Sequence, residues 1–295
     1  MKEIACTNEQ EWLHEREKLA VTASDAYTLL TKPLLLYARK KGLVEGPTQN
    51  ERMTWGKRLQ NEIARGFAED TGRKVELAAP YTLFVHDEYP MVGATPDAIE
   101  IVPDHESKGA VEIKNTDIEW VDEAPTQYQA QIQVQMSVLD FKWGTLVALH
   151  RGNKLIWSDI MRHDAFIKTF LSKAEEFSWR LATNNPPNVD ADGSEDAGKA
   201  LAALFPKDTG ASVALPTEAL QWTEELEALK NQKRAIEEGI TLRESWIKEQ
   251  IKDATYGVLV DGRRWQWKEQ TRVTPPRLEA QVSTFRTMRL LKGGK

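Results

Sequence analysis

Asp97 and Glu112 restrict the fold of this chain more than any other pair, because each belongs to a short apolar run and the two runs must meet for the acids to act together. The segment Gly93-Ala94-Thr95-Pro96-Asp97 is followed, fifteen residues after its aspartate, by Glu112 within Val111-Glu112-Ile113-Lys114-Asn115. Read as an extended strand, residues 109–114 put Val111 and Ile113 on one face and Glu112 and Lys114 on the other. The stretch between, with Pro103-Asp104 and Gly109, has the composition of a hairpin connection. A hairpin sets Asp97 beside Glu112.

Two adjacent carboxylates are hard oxygen ligands suited to Mg2+ or Mn2+, which keep several waters and leave positions for a substrate phosphate. A lysine two residues after the second acid can orient or deprotonate a metal-bound water while the cation stabilises charge on a phosphodiester. The pattern therefore points to phosphodiester hydrolysis. Glu-x-Lys alone also occurs on ordinary exposed strands, so the rest of the chain has to agree.

With 295 residues the chain can bury a full core and carry an appendage. Its 41% hydrophobic and 28% charged residues are those of a globular protein, and no apolar run approaches the roughly 20 residues that span a bilayer. The first residues lack a signal-peptide core, so a cytoplasmic location and no membrane partner are expected. Cys6, the sole cysteine, permits neither an internal disulfide nor a cysteine zinc site. His14, His86, His105, His150 and His163 are scattered without ligand spacing and are expected on the surface or in the core. The net charge of −6 disfavours a nonspecific polyanion-binding surface but allows basic groups to line one cleft.

Periodicity expects helices over 55–71, 125–139 and 164–182. Leu59, Ile63 and Phe67 form the stripe of the first, which stops at Gly72; Tyr128, Ile132, Met136 and Leu139 form that of the second. Ser24 reads as an N-cap for a helix beginning at Asp25, and Pro33 and Gly42 bracket another short helix. Strands are expected at 81–85, 91–94, 98–102, 110–113, 144–150 and 154–160, giving an α/β core with a mixed sheet flanked by helices. Residues 1–188 are expected as the main domain and 189–215 as a linker, with a helical arm and basic hairpin tail over 216–295. In that arm Leu220, Leu226, Leu229, Ile236, Ile240, Ile247 and Ile251 read as one packed face of a long charged helix. Asp261-Gly262 is a hairpin signal, and Trp265 and Trp267 fall on one strand face, either as a base-stacking platform or as packing under the helix. Arg263, Arg264, Lys268, Arg272, Arg277, Arg286, Arg289, Lys292 and Lys295 make this end basic.

Trp12-x-x-x-Arg16, Thr22-Ala23-Ser24-Asp25, Trp55-Gly56-Lys57, Thr95-Pro96-Asp97, Glu112-Ile113-Lys114 and Tyr128-x-Ala130-Gln131-Ile132-Gln133-x-x-Met136 come in an order that resembles the YqaJ-type viral recombinases. These are phage exonucleases similar to lambda exonuclease within the PD-(D/E)xK nuclease superfamily, and the resemblance spans roughly residues 10–190. It implies a restriction-endonuclease-like core and a Mg2+-dependent (Mn2+ as substitute) exonuclease degrading duplex DNA from 5′ ends in a bacterial host cell. The 3′ overhang would pass to a single-strand annealing protein, and the enzyme would be a homo-oligomer, a ring of three. The resemblance makes Asp97, Glu112 and the Ile113 carbonyl the metal ligands. Lys114 would position or activate the water, Gln131 would reach the nucleophile or scissile phosphate, and Arg16, Ser24 and Thr95 would grip the 5′ phosphate.

Where that family has a glutamate four residues after Gly56, this chain has Gln60, with Glu62 two positions on. At 3.6 residues per turn Gln60 lies about 60° from the centre of the Leu59-Ile63-Phe67 stripe and Glu62 about 100° from it on the other side. Gln60 is thus expected to take the role through water, with Glu62 as an acid one layer out. Gln129, Gln133 and Gln135 are expected as solvated helix positions, and Trp12 and Trp55 as packing residues. Two other readings stay open: a nuclease acting on single strands or internally, and a catalytically weak DNA-end scaffold for a recombinase.

Overall fold

The structure, a computed structural model, describes residues 1–46, 50–101, 107–120, 122–189 and 195–269. The Pro103-Asp104 connection, His105, most of the polar run 190–196, and the tail from Arg272 to Lys295 lie outside them. Two compact units emerge, Met1–Pro206 and Lys207–Lys295.

The first unit starts with β1 (Lys2–Ala5), α1 (Glu9–Glu17), β2 (Val21–Thr22), a single helical turn at Ala23–Asp25, α2 (Ala26–Thr31), α3 (Pro33–Lys40) and α4 (Glu51–Thr71). There follow β3 (Lys74–Leu77), β4 (Thr82–Val85), β5 (Val92–Ala94), β6 (Ala98–Ile101), β7 (Lys108–Thr116) and α5 (Thr126–Leu139). β8 (Trp143–His150), β9 (Lys154–Met161), α6 (Asp164–Thr183) and α7 (Glu195–Leu204) complete it. The expected mixed sheet is the five-stranded β3-β6-β7-β8-β9, parallel only between β7 and β8. A second sheet, β1-β4-β5-β2, stands beside it in sequence through the link Thr95-Pro96-Asp97 between β5 and β6. Short β1 and β3 were not among the expected strands, since four residues carry too little alternation to separate them from loop.

α4 begins where the Asn50 side chain accepts the Met53 amide and ends at Gly72, whose φ of 70° is left-handed. Its Ile63 and Phe67 pack on Ala98, Val111, Ile113 and Val147, so one face of the five-stranded sheet is α4's. The parallel β7–β8 pair requires a crossover, and α5 is that crossover on the opposite face. α5 is covered by the sheet, α2 and α6, so that from Ile132 to Leu139 every residue is buried, which a single Tyr128-Ile132-Met136-Leu139 stripe does not anticipate. Gly144 permits this close approach: a Cβ there would stand 2.7 Å from the Ala110 carbonyl and 3.0 Å from Ile132.

Two further expectations are corrected. Ser24 is not the N-cap: the turn is closed by Asp25, whose Oδ2 accepts the Thr22 amide (3.0 Å) and hydroxyl (2.9 Å), and Ser24 is exposed. Within the stretch expected as linker, α7 buries Ala200 against Leu34 and Ala38 and ties Asp196 to Lys32 at 2.7 Å. Ala197, Ala200, Leu201 and Leu204 have amphipathic spacing that the preceding polar run obscures.

In the second unit α8 (Glu218–Ile251) precedes a hairpin of β10 (Tyr256–Val258) and β11 (Arg264–Gln266), turned at Gly262. The expected packed face is absent: Leu220, Leu229, Ile236 and Ile240 are all more than half exposed, and only Ala219 and Ile251 of α8 are buried. Among the described residues of this unit, the hairpin strand β10 packs against α8. Trp265 and Trp267 line a groove with Glu244, Ile247, Lys248 and Ile251, next to the end of α8. No helix among the described residues is long and apolar enough to cross a membrane.

Arg73, just after α4, fastens that helix to the sheet. Its guanidinium donates to both oxygens of Asp159 (2.7 and 2.6 Å) and reaches Glu100, which is fully buried, at 3.2 Å. Arg73→Ala leaves a buried acid uncompensated and is expected to lower unfolding stability by about 3 kcal/mol. Urea titration at neutral pH measures this; a loss under about 1 kcal/mol contradicts the anchoring role.

Candidate active site

The β6–β7 hairpin places the two acids. Register pairs Ala98 with Val111, the Asp97 amide donates to the Val111 carbonyl (3.2 Å), and the Ile113 amide donates to Asp97 Oδ2 (2.7 Å). Asp97 is thereby held next to Glu112, which is 3% exposed. Lys114 shares the face of Glu112, as the alternation expects, and its Nζ donates to Glu112 Oε1 (2.5 Å) and to Gln131 Oε1 on α5 (3.1 Å). From the α4 side Gln60 Nε2 donates to Asp97 Oδ1 (2.8 Å). Glu62 is not brought to the site; it is exposed and pairs with Arg65.

α5 contributes more than Gln131. Gln135, expected to face solvent, is fully buried and donates through Nε2 to Glu112 Oε2 (2.5 Å). Gln133 is buried as well, bonded to the Met161 carbonyl (2.7 Å) and the His163 amide (2.8 Å), and half-buried Gln129 donates to the Ala124 carbonyl (2.6 Å). Tyr128 lies under Lys114, with Nζ 5.2 Å from its ring centroid. Tyr128, Gln131 and Gln135 follow i, i+3, i+7 spacing, which was the available signal for the two residues that sequence reasoning left out.

Arg16 lies in the last turn of α1, and Thr95 in the link between β5 and β6. The Arg16 guanidinium sits over the Trp12 ring at 4.4 Å, with Nη2 3.5 Å from the Thr22 hydroxyl. Burial pulls its proton affinity down, while Asp25 and Glu112 pull the other way, so Arg16 is within electrostatic reach of Glu112. Among the described residues, Thr95 Oγ1 and Gln135 Oε1 are buried without a hydrogen-bond partner. Ser24 is two residues beyond Thr22, on the exposed side of its turn.

The electrostatics follow from burying two acids together. Burial, then the neighbouring Glu112, push the Asp97 carboxyl up to about 8 against the Ile113, Lys114 and Gln60 interactions. For Lys114 burial acts downward, but Glu112 and Asp97 outweigh it and hold the ammonium above its ordinary value. In this state Lys114 donates hydrogen bonds and has no lone pair to offer. A carboxyl raised on folding stabilises the protein below the unfolded value of about 4, and that contribution is lost as pH rises through about 8. Asp97→Asn, which keeps an acceptor for Ile113 without the charge, is expected to gain stability over the metal-free parent as pH rises from 5 to about 9. Denaturant titrations in chelator across that range check it; a difference independent of pH contradicts the raised acid.

Residues 11–142 match the YqaJ-like viral recombinase domain. The uncharacterized protein YqaJ of Bacillus subtilis (strain 168) is 27% identical over 263 residues, 84% of this chain and 80% of that protein. Among solved structures, an alkaline exonuclease (LHK-Exo) from Laribacter hongkongensis aligns with 22% identity and a TM-score of 0.48, over 60% of this chain and 94% of its own. A phage related exonuclease from Haemophilus somnus 129PT aligns with 12% identity and a TM-score of 0.44, over 57% and 96%.

Proposed function

We propose that the protein, whose residues 11–142 match the YqaJ-like viral recombinase domain, is a divalent-metal-dependent exodeoxyribonuclease that shortens duplex DNA from 5′-phosphorylated ends. The observation that carries this reading is half-buried Asp97 beside buried Glu112, with Lys114 on the strand face of Glu112 and Gln131 meeting it from α5. The donor set fits Mg2+ or Mn2+: two carboxylates, no nitrogen or sulfur ligand, and a polar surround that lets waters and a phosphate complete the shell. Asp97, Glu112 and the Ile113 carbonyl would hold the ion, which supplies charge stabilisation for the phosphodiester under attack.

The chain's own side chains do the rest. Gln135 and Lys114 fix the two oxygens of Glu112, and Gln60 fixes Asp97 as a donor to Oδ1, so its amide supports the acid and does not replace a ligand oxygen. Lys114, charged and bridging Glu112 to Gln131, is placed to orient the attacking water by donation. Arg16 and the unpartnered Thr95 hydroxyl offer charge-assisted and neutral bonds to a terminal phosphate, with Ser24 completing that grip. Ring assembly around the duplex and transfer of the 3′ strand to an annealing protein belong to the same reading.

Linear duplex with 5′ phosphates and Mg2+ is expected to release mononucleotides, whereas cleavage of closed circles would replace this reading with an endonuclease. Lys114→Ala is expected to lower kcat by about 10²- to 10⁴-fold while DNA binding, read by fluorescence anisotropy, is kept. Wild-type turnover in that variant removes the lysine from the mechanism. Arg16→Ala is expected to cut the preference for 5′-phosphate over 5′-hydroxyl ends by about tenfold or more, the worth of one charge-assisted bond. An unchanged preference, measured as the ratio of kcat/KM values, places the phosphate grip elsewhere.

A further inference from the structure

The apolar stripe of α4 runs out of the core before it ends. Phe67 and Ile63 are buried and Leu59 is half-buried, but Trp55, next in the same i, i+4 series, is 50% exposed. A core stripe ending in an open indole calls for another occupant, and the expected packing role of Trp55 does not hold. Trp55 and Leu59 border a groove with Arg52, Asn115, Thr116, Asp117, Arg151 and Gly152.

Both walls of this groove continue from the acid pair. Asn115 and Thr116 directly follow Lys114 on β7, and α4 carries Gln60, which bonds Asp97. The rim is cationic in a chain of net charge −6. Arg58 lies over the Trp55 ring at 5.1 Å, and neither Arg58 nor Arg151 has an ion-pair partner among the described residues, while Arg52 pairs with Asp117. Arg151 is held at the groove by its amide bond to the Thr116 carbonyl (3.0 Å) with a left-handed φ of 49°. An exposed aromatic ring flanked by guanidinium groups over a floor of amide and hydroxyl side chains matches an unstacked nucleobase with its neighbouring phosphates better than an apolar peptide.

We propose that Trp55 is a base-stacking platform that holds an unpaired nucleotide of the substrate next to the cleavage site, with Arg58 and Arg151 on the flanking phosphates. This rests on the nuclease reading above. Trp55 is a positioning residue: it sets where the strand lies and leaves the chemical step to the acid pair.

The test is steady-state digestion of 5′-phosphorylated duplexes by the full chain, using substrates with one abasic position moved stepwise from the end in either strand. For the parent, one or two adjacent abasic positions are expected to raise KM by about 5- to 150-fold with kcat within about twofold. Trp55→Ala is expected to show that higher KM on the intact duplex and no further penalty from the abasic positions, and Trp55→Phe to restore most of the binding. Thermal midpoints within a degree or two of the parent exclude misfolding, as expected at a half-exposed position. Parent KM in Trp55→Ala, or an abasic penalty that survives the substitution, overturns the platform while leaving the nuclease reading intact. Failure of the parent to degrade DNA overturns both.

Discussion

A half-buried carboxylate held beside a buried one is costly unless something supplies positive charge, and the arrangement around the acid pair answers that cost. Asp97 and Glu112 are fixed by the backbone of one hairpin, so they cannot move apart to lower their repulsion. Their oxygens are met instead by donors from every side: the Ile113 amide and Gln60 on Asp97, Lys114 and Gln135 on Glu112. Even so, Asp97 keeps its proton well above the usual carboxylate range, which leaves the pair under-compensated and receptive to a divalent cation.

The fold meets this requirement by bringing separate layers to one point. α4 and α5 lie on opposite faces of the five-stranded sheet, yet each sends a glutamine to the acids, Gln60 to Asp97 and Gln135 to Glu112. α5 can do so because Gly144 allows it to settle close over β7 and β8. Thr95 comes from the second sheet's side, since β5 passes into β6 through Thr95-Pro96-Asp97, and Arg16 comes from α1. A site assembled this way is held by hydrogen bonds at the acid pair and open where Trp55 leaves the core.

Much of this was legible because strand alternation and helical spacing are strong signals over long runs. The shared strand face of Glu112 and Lys114, the stop at Gly72 and the aim of Gln60 rather than Glu62 toward the acids all follow from periodicity and match the structure. What escaped has a common cause. Gln135 and Gln133 are polar residues on a helix buried on all sides, and polarity was read as exposure; only the position of a facing carboxylate or carbonyl reveals why glutamine belongs there. Ser24 and α7 were misread locally, since Thr22 and Asp25 form the stronger cap and a polar run hid a short amphipathic helix. The apolar series on α8 has the spacing of a packed face, yet among the described residues it stays largely exposed.

Direct titration with Mn2+, followed by electron paramagnetic resonance, tests the central claim that Asp97 and Glu112 together hold one divalent ion. The parent is expected to bind about one Mn2+ per chain, more tightly as pH rises towards 8 because the ion displaces the Asp97 proton. Asp97→Asn and Glu112→Gln should each weaken it at least tenfold. Undiminished binding in either variant, or none in the parent at millimolar Mn2+, contradicts the account.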